Sequence, residues 1–310
     1  MKKNYRLVIN IISLGIILLV ALGIYNLAIE SIKEENNIQN ISATSLSDIS
    51  EEKSQPESKK IQKSKEVIYD SEQYTDYIVN DIASSEKEIN FSPKVAFIID
   101  DLGYETNVAE KIIELDFPVT LSILPFLQYS EYIAEEGKKK NREIMLHLPM
   151  ESNNSSVNPG PGAIRSYMPE EDIRQMVRDS IDSVPYISGM NNHMGSKITE
   201  DEKIMKIILG EIKEINLFFI DSRTSKNSIA YEIAQEMGIK TAKRSVFLDN
   251  ENDMDYIKGQ ILEVQEIALR EGEAIAIGHD RINTYYVLKR MVPELIGAGI
   301  EVVSVSELIK

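Results

Sequence analysis

Lys94-Val95-Ala96-Phe97-Ile98-Ile99-Asp100-Asp101-Leu102-Gly103 is the stretch on which the fold turns. Val95 to Ile99 are all apolar and mostly β-branched or aromatic. Such a run reads as a strand buried on both faces, as in a parallel sheet under helices. It ends in two adjacent carboxylates and a Leu-Gly turn. Neighbouring side chains on a strand point in opposite directions, so one aspartate can meet a metal while the other handles a proton. Catalytic groups of parallel α/β folds gather at the carboxyl ends of strands. Taken alone, the pair fits a helix N-cap beside a surface acid equally well. What separates the two readings is recurrence of the pattern downstream.

From Pro93 onward, strand and helix patterns alternate. Helical spacing over Val108–Leu115 is followed by a strand at Val119–Leu124, a helix at Glu131–Lys139 and a strand at Glu143–Leu148. A long Asn-, Ser-, Pro- and Gly-rich loop runs to Met168, and Pro169-Glu170-Glu171-Asp172 opens the next helix, with acids at the positive dipole end. Thr199 and Glu202 have capping-box spacing for a helix reaching about Ile215. Strands follow at Leu217–Asp221, Thr241–Leu248, Ala274–Ile277 and Glu301–Val305, with helices at Ser228–Met237, Met254–Arg270 and Thr284–Ala298 between them. No hairpin signal is sustained. The expectation is an α/β fold, a complete or distorted (β/α) barrel of seven or eight strands over residues 93–310.

Residues 1–92 read differently. Lys2, Lys3 and Arg6 precede an uncharged, largely apolar run from Leu7 to Ile29, long enough to cross a bilayer. Basic residues ahead of it predict a cytoplasmic N-terminus and an extracytoplasmic remainder. Residues 1–29 are therefore expected to be a signal anchor, with cleavage near Ala21-Leu22-Gly23 and secretion as the alternative. Residues 30–92, rich in Ser, Glu, Lys and Asn, have too little apolar content to fold and read as a linker. The net charge of −16 argues against a nucleic-acid partner. With no cysteine in the chain, any metal must be held by His, Asp or Glu.

The chain has three histidines, His147, His193 and His279, and each falls at or just past a strand end. A single histidine is more often a hydrogen-bonded structural residue than a ligand. Three at strand ends, beside Asp100-Asp101 and Asp221, point to one mouth. One carboxylate and two imidazoles suit zinc or a similar divalent ion and leave positions open for water and substrate.

Ile98-Ile99-Asp100-Asp101-Leu102-Gly103, His147-Leu148-Pro149-Met150-Glu151, Asn158-Pro159-Gly160-Pro161-Gly162-Ala163, Asn191-Asn192-His193-Met194-Gly195-Ser196, Phe219-Ile220-Asp221-Ser222-Arg223-Thr224-Ser225 and Ile277-Gly278-His279 occur in this order. Together they resemble the divergent polysaccharide deacetylase family over nearly all of Lys94 to Ile309. The resemblance implies a distorted (β/α) barrel, a metal site built from an aspartate and two histidines, and an N-acetylated polysaccharide as substrate. It implies Asp101, His147 and His193 as ligands, with Asp100 as general base; spacing alone does not decide between the two aspartates. His279 is then the general acid or a third nitrogen ligand, with Asp221 orienting it or another group at the metal. Better-known polysaccharide deacetylases carry a spaced histidine pair on one segment. Here Glu151 stands four residues after His147, and the second histidine comes from another strand.

Asn191, Asn192, Glu151 and Arg223 are candidate substrate contacts. The asparagines also suit capping of the following turn, and Arg165 and Arg223 suit salt bridges or an anionic substrate group. The loop at Asn158–Gly162 is expected to wall one side of the cleft. A second reading is a catalytically silent, envelope-anchored domain that holds glycan or protein in the same cleft.

Overall fold

The computed structural model describes residues 92–310. The expected anchor and most of the linker, residues 1–91, lie outside the described residues. Among the described residues, no helix is long and apolar enough to cross a membrane.

The opening strand, β1 (Lys94–Leu102), is buried along almost its whole length. It is followed by α1 (Asn107–Ile113), β2 (Thr120–Ile123), α2 (Ser130–Lys139), β3 (Glu143–Met150), α3 (Glu170–Asp182) and β4 (Ile187–Met194). Then come α4 (Glu202–Glu214), β5 (Phe218–Asp221), α5 (Ala230–Glu236), β6 (Thr241–Lys243), β7 (Val246–Phe247), α6 (Met254–Glu271), β8 (Glu273–His279), α7 (Ile282–Gly297) and β9 (Glu301–Val303). Eight strands form the path β6-β5-β4-β3-β2-β1-β8-β7, and β9 adds to β1. Every pairing is parallel, and the result is a curled α/β half-barrel.

Two expectations change. The single strand read over Thr241–Leu248 is two short ones, because the chain changes partner within it. Arg244 N donates to Asp221 O of β5, whereas Ser245 N donates to Ile275 O of β8. One extended stretch therefore touches both ends of the curled sheet. The capping box at Thr199 does not form either. Thr199 Oγ1 donates back to Gly195 O in a 3-10 turn (Ile198–Glu200), and Asp201 caps α4 by accepting from Ile204 N at 3.0 Å.

Alternation along the strands divides the apolar residues into two layers. Val95, Phe97 and Ile99 of β1 face the large core under the helices. Ala96 and Ile98 face the interior of the curl with Met145, Phe218, Ile220, Ile275 and Ile277. The C-terminal segment closes this inner layer from below, since Val303, Val305 and Leu308 pack into it. Lys310 and Thr241 also exchange backbone hydrogen bonds of 3.0 and 3.3 Å.

The inner layer is tight around Gly189 on β4. A Cβ there would lie 2.2–2.5 Å from three ring atoms of Phe218, its register partner on β5. Gly189→Ala is expected to destabilise the domain by about 1–3 kcal/mol, the usual cost of overpacking. Urea unfolding should show a lower midpoint with an unchanged slope. An unaltered midpoint would mean that Phe218 moves freely.

Candidate metal centre and active site

Each inner column, followed upward, changes from apolar to polar. Ala96 and Ile98 lead to Asp100, Met145 leads to His147, Ile275 and Ile277 lead to His279, and Phe218 and Ile220 lead to Ser222. The register then sets neighbours side by side. Asp100 is paired with His279, His147 with Asn191, and Asn191 with Ile220. Several residues at this rim take left-handed backbone, including Asp101 (φ 64°), Phe126 (φ 59°), Met194 (φ 52°) and Arg223 (φ 51°). Such conformations are costly outside glycine and concentrate at functional sites. At Asp101 the left-handed turn breaks the strand alternation next to Asp100.

Asp101 Oδ1 lies 2.8 Å from His193 Nδ1 and 3.3 Å from His147 Nε2, and the two ring nitrogens are 3.1 Å apart. These three residues are the one group of potential metal ligands found among the described residues, with ligand atoms all within 4.8 Å. The donor set passes a direct test of fit. Asp101 Oδ1 is buried and, among the described residues, has no hydrogen-bond partner despite its two close nitrogens. A carboxylate oxygen and two imidazole nitrogens converging on one point suit a borderline divalent ion. Burial works to raise the Asp101 pKa, but His147 and His193 outweigh it and hold the carboxyl far below the usual range. Asp100 is also buried, with Oδ2 at 3.6 Å from His147 Nε2. Its Oδ1 accepts from Asn191 Nδ2 at 2.9 Å.

The carboxylate beside His279 is Asp249, not Asp221. Asp249 Oδ1 is 2.6 Å from His279 Nδ1, and Asp249 Oδ2 accepts from His279 N (2.9 Å) and Thr284 Oγ1 (2.6 Å). The reason is parity. Asp221 follows Phe219, which faces the helices, and its oxygens accept from Arg223 N and Ser228 Oγ, both at 2.7 Å. Asp249 follows Phe247, which packs against the inner layer. Burial would lower the His279 pKa, but Asp249 keeps it above the ordinary histidine value. Asp249 in turn is held low by that ring against the effect of its own burial. Asp280, by contrast, is pushed up to about 7 by burial, with Glu105 and Asp101 adding to the effect.

Asp249 carries a signal open to sequence reading, since Val246-Phe247-Leu248-Asp249 is an apolar run ended by a carboxylate, like Ile98-Ile99-Asp100. Arg244 has no such signal. Its guanidinium donates to Ser222 O (2.7 Å) and Arg223 O (3.0 Å) and lies 3.7 Å over the Phe247 ring. Phe247 stacks in turn on His279, with centroids 5.8 Å apart. Burial draws the Arg244 pKa down to about 10.

Each of the four candidate substrate contacts has protein partners. Asn191 is fully buried and bonded to four side chains: Ser122, His147, Asp100 and Ser222. Asn192 donates to Met194 O (2.8 Å) and accepts from Ser222 N (2.9 Å), tying β4 to the loop after β5. Glu151 binds Lys197 Nζ (2.8 Å) and Ser166 N (2.6 Å), which anchors the long loop after β3. The Arg223 guanidinium reaches Ser228 O and Lys226 O at 3.4 and 3.3 Å, within its own loop. The loop over Asn158–Gly162 packs beside Tyr104 and Phe126. A Cβ on Gly160 would lie 3.5 Å from the Tyr104 hydroxyl, and one on Gly162 would lie 2.5 Å from the Phe126 ring.

An Agrobacterium tumefaciens C58 protein of uncharacterized function has a similar crystal structure, with a TM-score of 0.67 and 24% identity, covering 70% of this chain and 89% of that one. That likeness concerns the fold. An uncharacterized Haemophilus influenzae protein is 35% identical over 212 residues, 66% of this chain and 75% of the relative. The Escherichia coli K12 protein YibQ, also uncharacterized, is 33% identical over 205 residues, 65% of this chain and 63% of its own length. Residues 97–309 match the family described as divergent polysaccharide deacetylase, and the chain belongs to that family.

Proposed function

We propose that this domain is a metal-dependent hydrolase that removes N-acetyl groups from an envelope or extracellular polysaccharide. The observation that carries the proposal is the convergence of Asp101, His147 and His193 beside a second carboxylate and a carboxylate-paired histidine. Family membership supports an N-acetylated glycan as the substrate class. Asp101 Oδ1, His147 Nε2 and His193 Nδ1 would hold the ion, with zinc the best match to the set. When bound, a divalent ion supplies polarisation of the acetamide carbonyl and acidification of water.

The protein's own groups handle the protons. Asp100 takes the proton of the attacking water, its Oδ1 steadied by Asn191 Nδ2. The water oxygen bonds to the acyl carbon as the C–N bond breaks. His279 gives a proton to the departing amine, oriented by Asp249, which also raises its pKa. The products are acetate and a free amino sugar. Tyr104 and Phe126, 56% and 43% exposed in the loops after β1 and β2, offer ring faces against which a sugar can pack. Leu7 to Ile29 would anchor the domain outside the cytoplasm.

The test is metal content of the purified chain together with acetate release from N-acetylated glycans. His147→Ala and His193→Ala should each strip the ion and the activity. Asp100→Asn should keep the ion and lower turnover roughly 10²- to 10⁴-fold, the span of general acid–base catalysis. The opposite pattern for Asp100→Asn and Asp101→Asn would exchange the two roles. Firm metal binding with no turnover on any glycan would leave the silent-binding reading in place.

The His279–Asp249 pair predicts the alkaline limb of the pH profile. A histidine whose pKa is raised stays protonated to higher pH, and the acid function is lost as pH rises through that value. Asp249→Asn keeps an acceptor but removes the charge, so the alkaline limb should move to lower pH. A profile unmoved in Asp249→Asn would remove His279 from the role of acid.

A further inference from the structure

Asn191 is buried on β4 between the two halves of the site, and its amide can sit only one way round. Nδ2 faces a carboxylate oxygen, Asp100 Oδ1 at 2.9 Å, and also reaches Ser222 Oγ at 3.2 Å. Oδ1 meets Ser122 Oγ and His147 Nδ1, both at 2.7 Å. Flipping the amide would set an oxygen against the Asp100 carboxylate. In the orientation present, both N–H donors and both oxygen lone pairs are used, the full capacity of the group. None is left over for a substrate.

We infer that Asn191 is a positioning residue that fixes the proton of His147 on Nδ1 and, with the same amide, aims Asp100. An acceptor at Nδ1 makes that nitrogen the N–H, which leaves the Nε2 lone pair facing Asp101 and His193. The partner of a ligating histidine sets its tautomer and ring angle. Here that partner is a neutral amide, and its opposite end grips the carboxylate assigned as base. The ligand side and the base side of the site are therefore locked by one side chain. This inference rests on the metal-site reading above, but the tautomer is measurable without any metal.

With three histidines in the chain, nitrogen-15 histidine labelling gives a spectrum simple enough to assign. His193→Gln and His279→Gln supply the assignments. In the metal-free wild-type chain at a pH where the rings are neutral, His147 should show a protonated Nδ1 and a bare Nε2. Asn191→Ala should lose that pattern and weaken zinc binding roughly 10- to 100-fold, the usual effect of removing such a partner. Asn191→Asp separates the two duties. It can still accept from His147, so the tautomer should persist and zinc affinity should stay within a few-fold of wild type. Its second oxygen would lie against Asp100, and two buried carboxyls that close share a proton, so acetate release should fall or its pH profile should shift. Thermal unfolding of each variant checks that the fold survives.

A wild-type His147 protonated on Nε2, or an unchanged Nδ1 pattern in Asn191→Ala, would overturn the inference. So would an Asn191→Asp chain that releases acetate at the wild-type rate with the wild-type pH profile. A wild-type chain that binds no zinc yet carries the Nδ1 proton on His147 would sink the metal reading and leave the positioning role standing.

Discussion

The side-chain alternation of a parallel strand is the constraint on which this molecule depends. Because the sheet curls, each strand has an inner and an outer face, and a residue's odd or even position decides which it meets. Phe97, Phe219 and Leu146 go to the helix layer, whereas Ile98, Ile220 and Met145 go inside. The inner columns rise from isoleucine and phenylalanine into aspartate, histidine, asparagine and serine. The site is the polar top of an otherwise apolar core. A one-residue slip in any pairing would turn its functional side chain toward the helices.

Burial gives that polar layer its chemical character. Asp100, His147, Asn191, Asp221 and Asp249 all sit almost wholly out of solvent. A buried polar group is costly unless each of its atoms has a partner, so these residues are bonded to neighbouring protein groups. Asn191 meets the demand completely. Asp249 meets it through His279 and Thr284. Asp101 Oδ1 does not, and it is the oxygen that lies between the two histidines. The deficit of partners falls where a cation would supply one.

Very few residues link the two ends of the curled sheet. Thr241 to Phe247 serves as β6 toward β5 and as β7 toward β8, with only Arg244 and Ser245 between. Arg244 occupies the seam and uses it. Its side chain ties the loop after β5 and lies on Phe247, which backs the ring of His279. One arginine at the change of partner thus connects the backbone near Asn191 with the histidine on the far side.

Much of this was legible in the residues alone. Apolar runs ended by carboxylates and histidines, alternating with amphipathic helices, express a parallel α/β fold because both faces of such strands must be covered. Asp100, Asp101, His147, His193 and His279 stand out because polar groups at strand ends have few structural reasons to recur. The partnerships were not legible. Whether Asp221 or Asp249 meets His279 depends on which face each strand turns inward, and the strand at Thr241–Leu248 divides its pairing between two neighbours. Likewise, Asn191 as a residue type suits a sugar contact or a turn cap. Only the register that sets it opposite His147, 44 positions away in the chain, commits its amide to the site itself. Local sequence determines what a strand end carries, and long-range pairing decides what it touches, because hydrogen-bond register is a property of two strands rather than one.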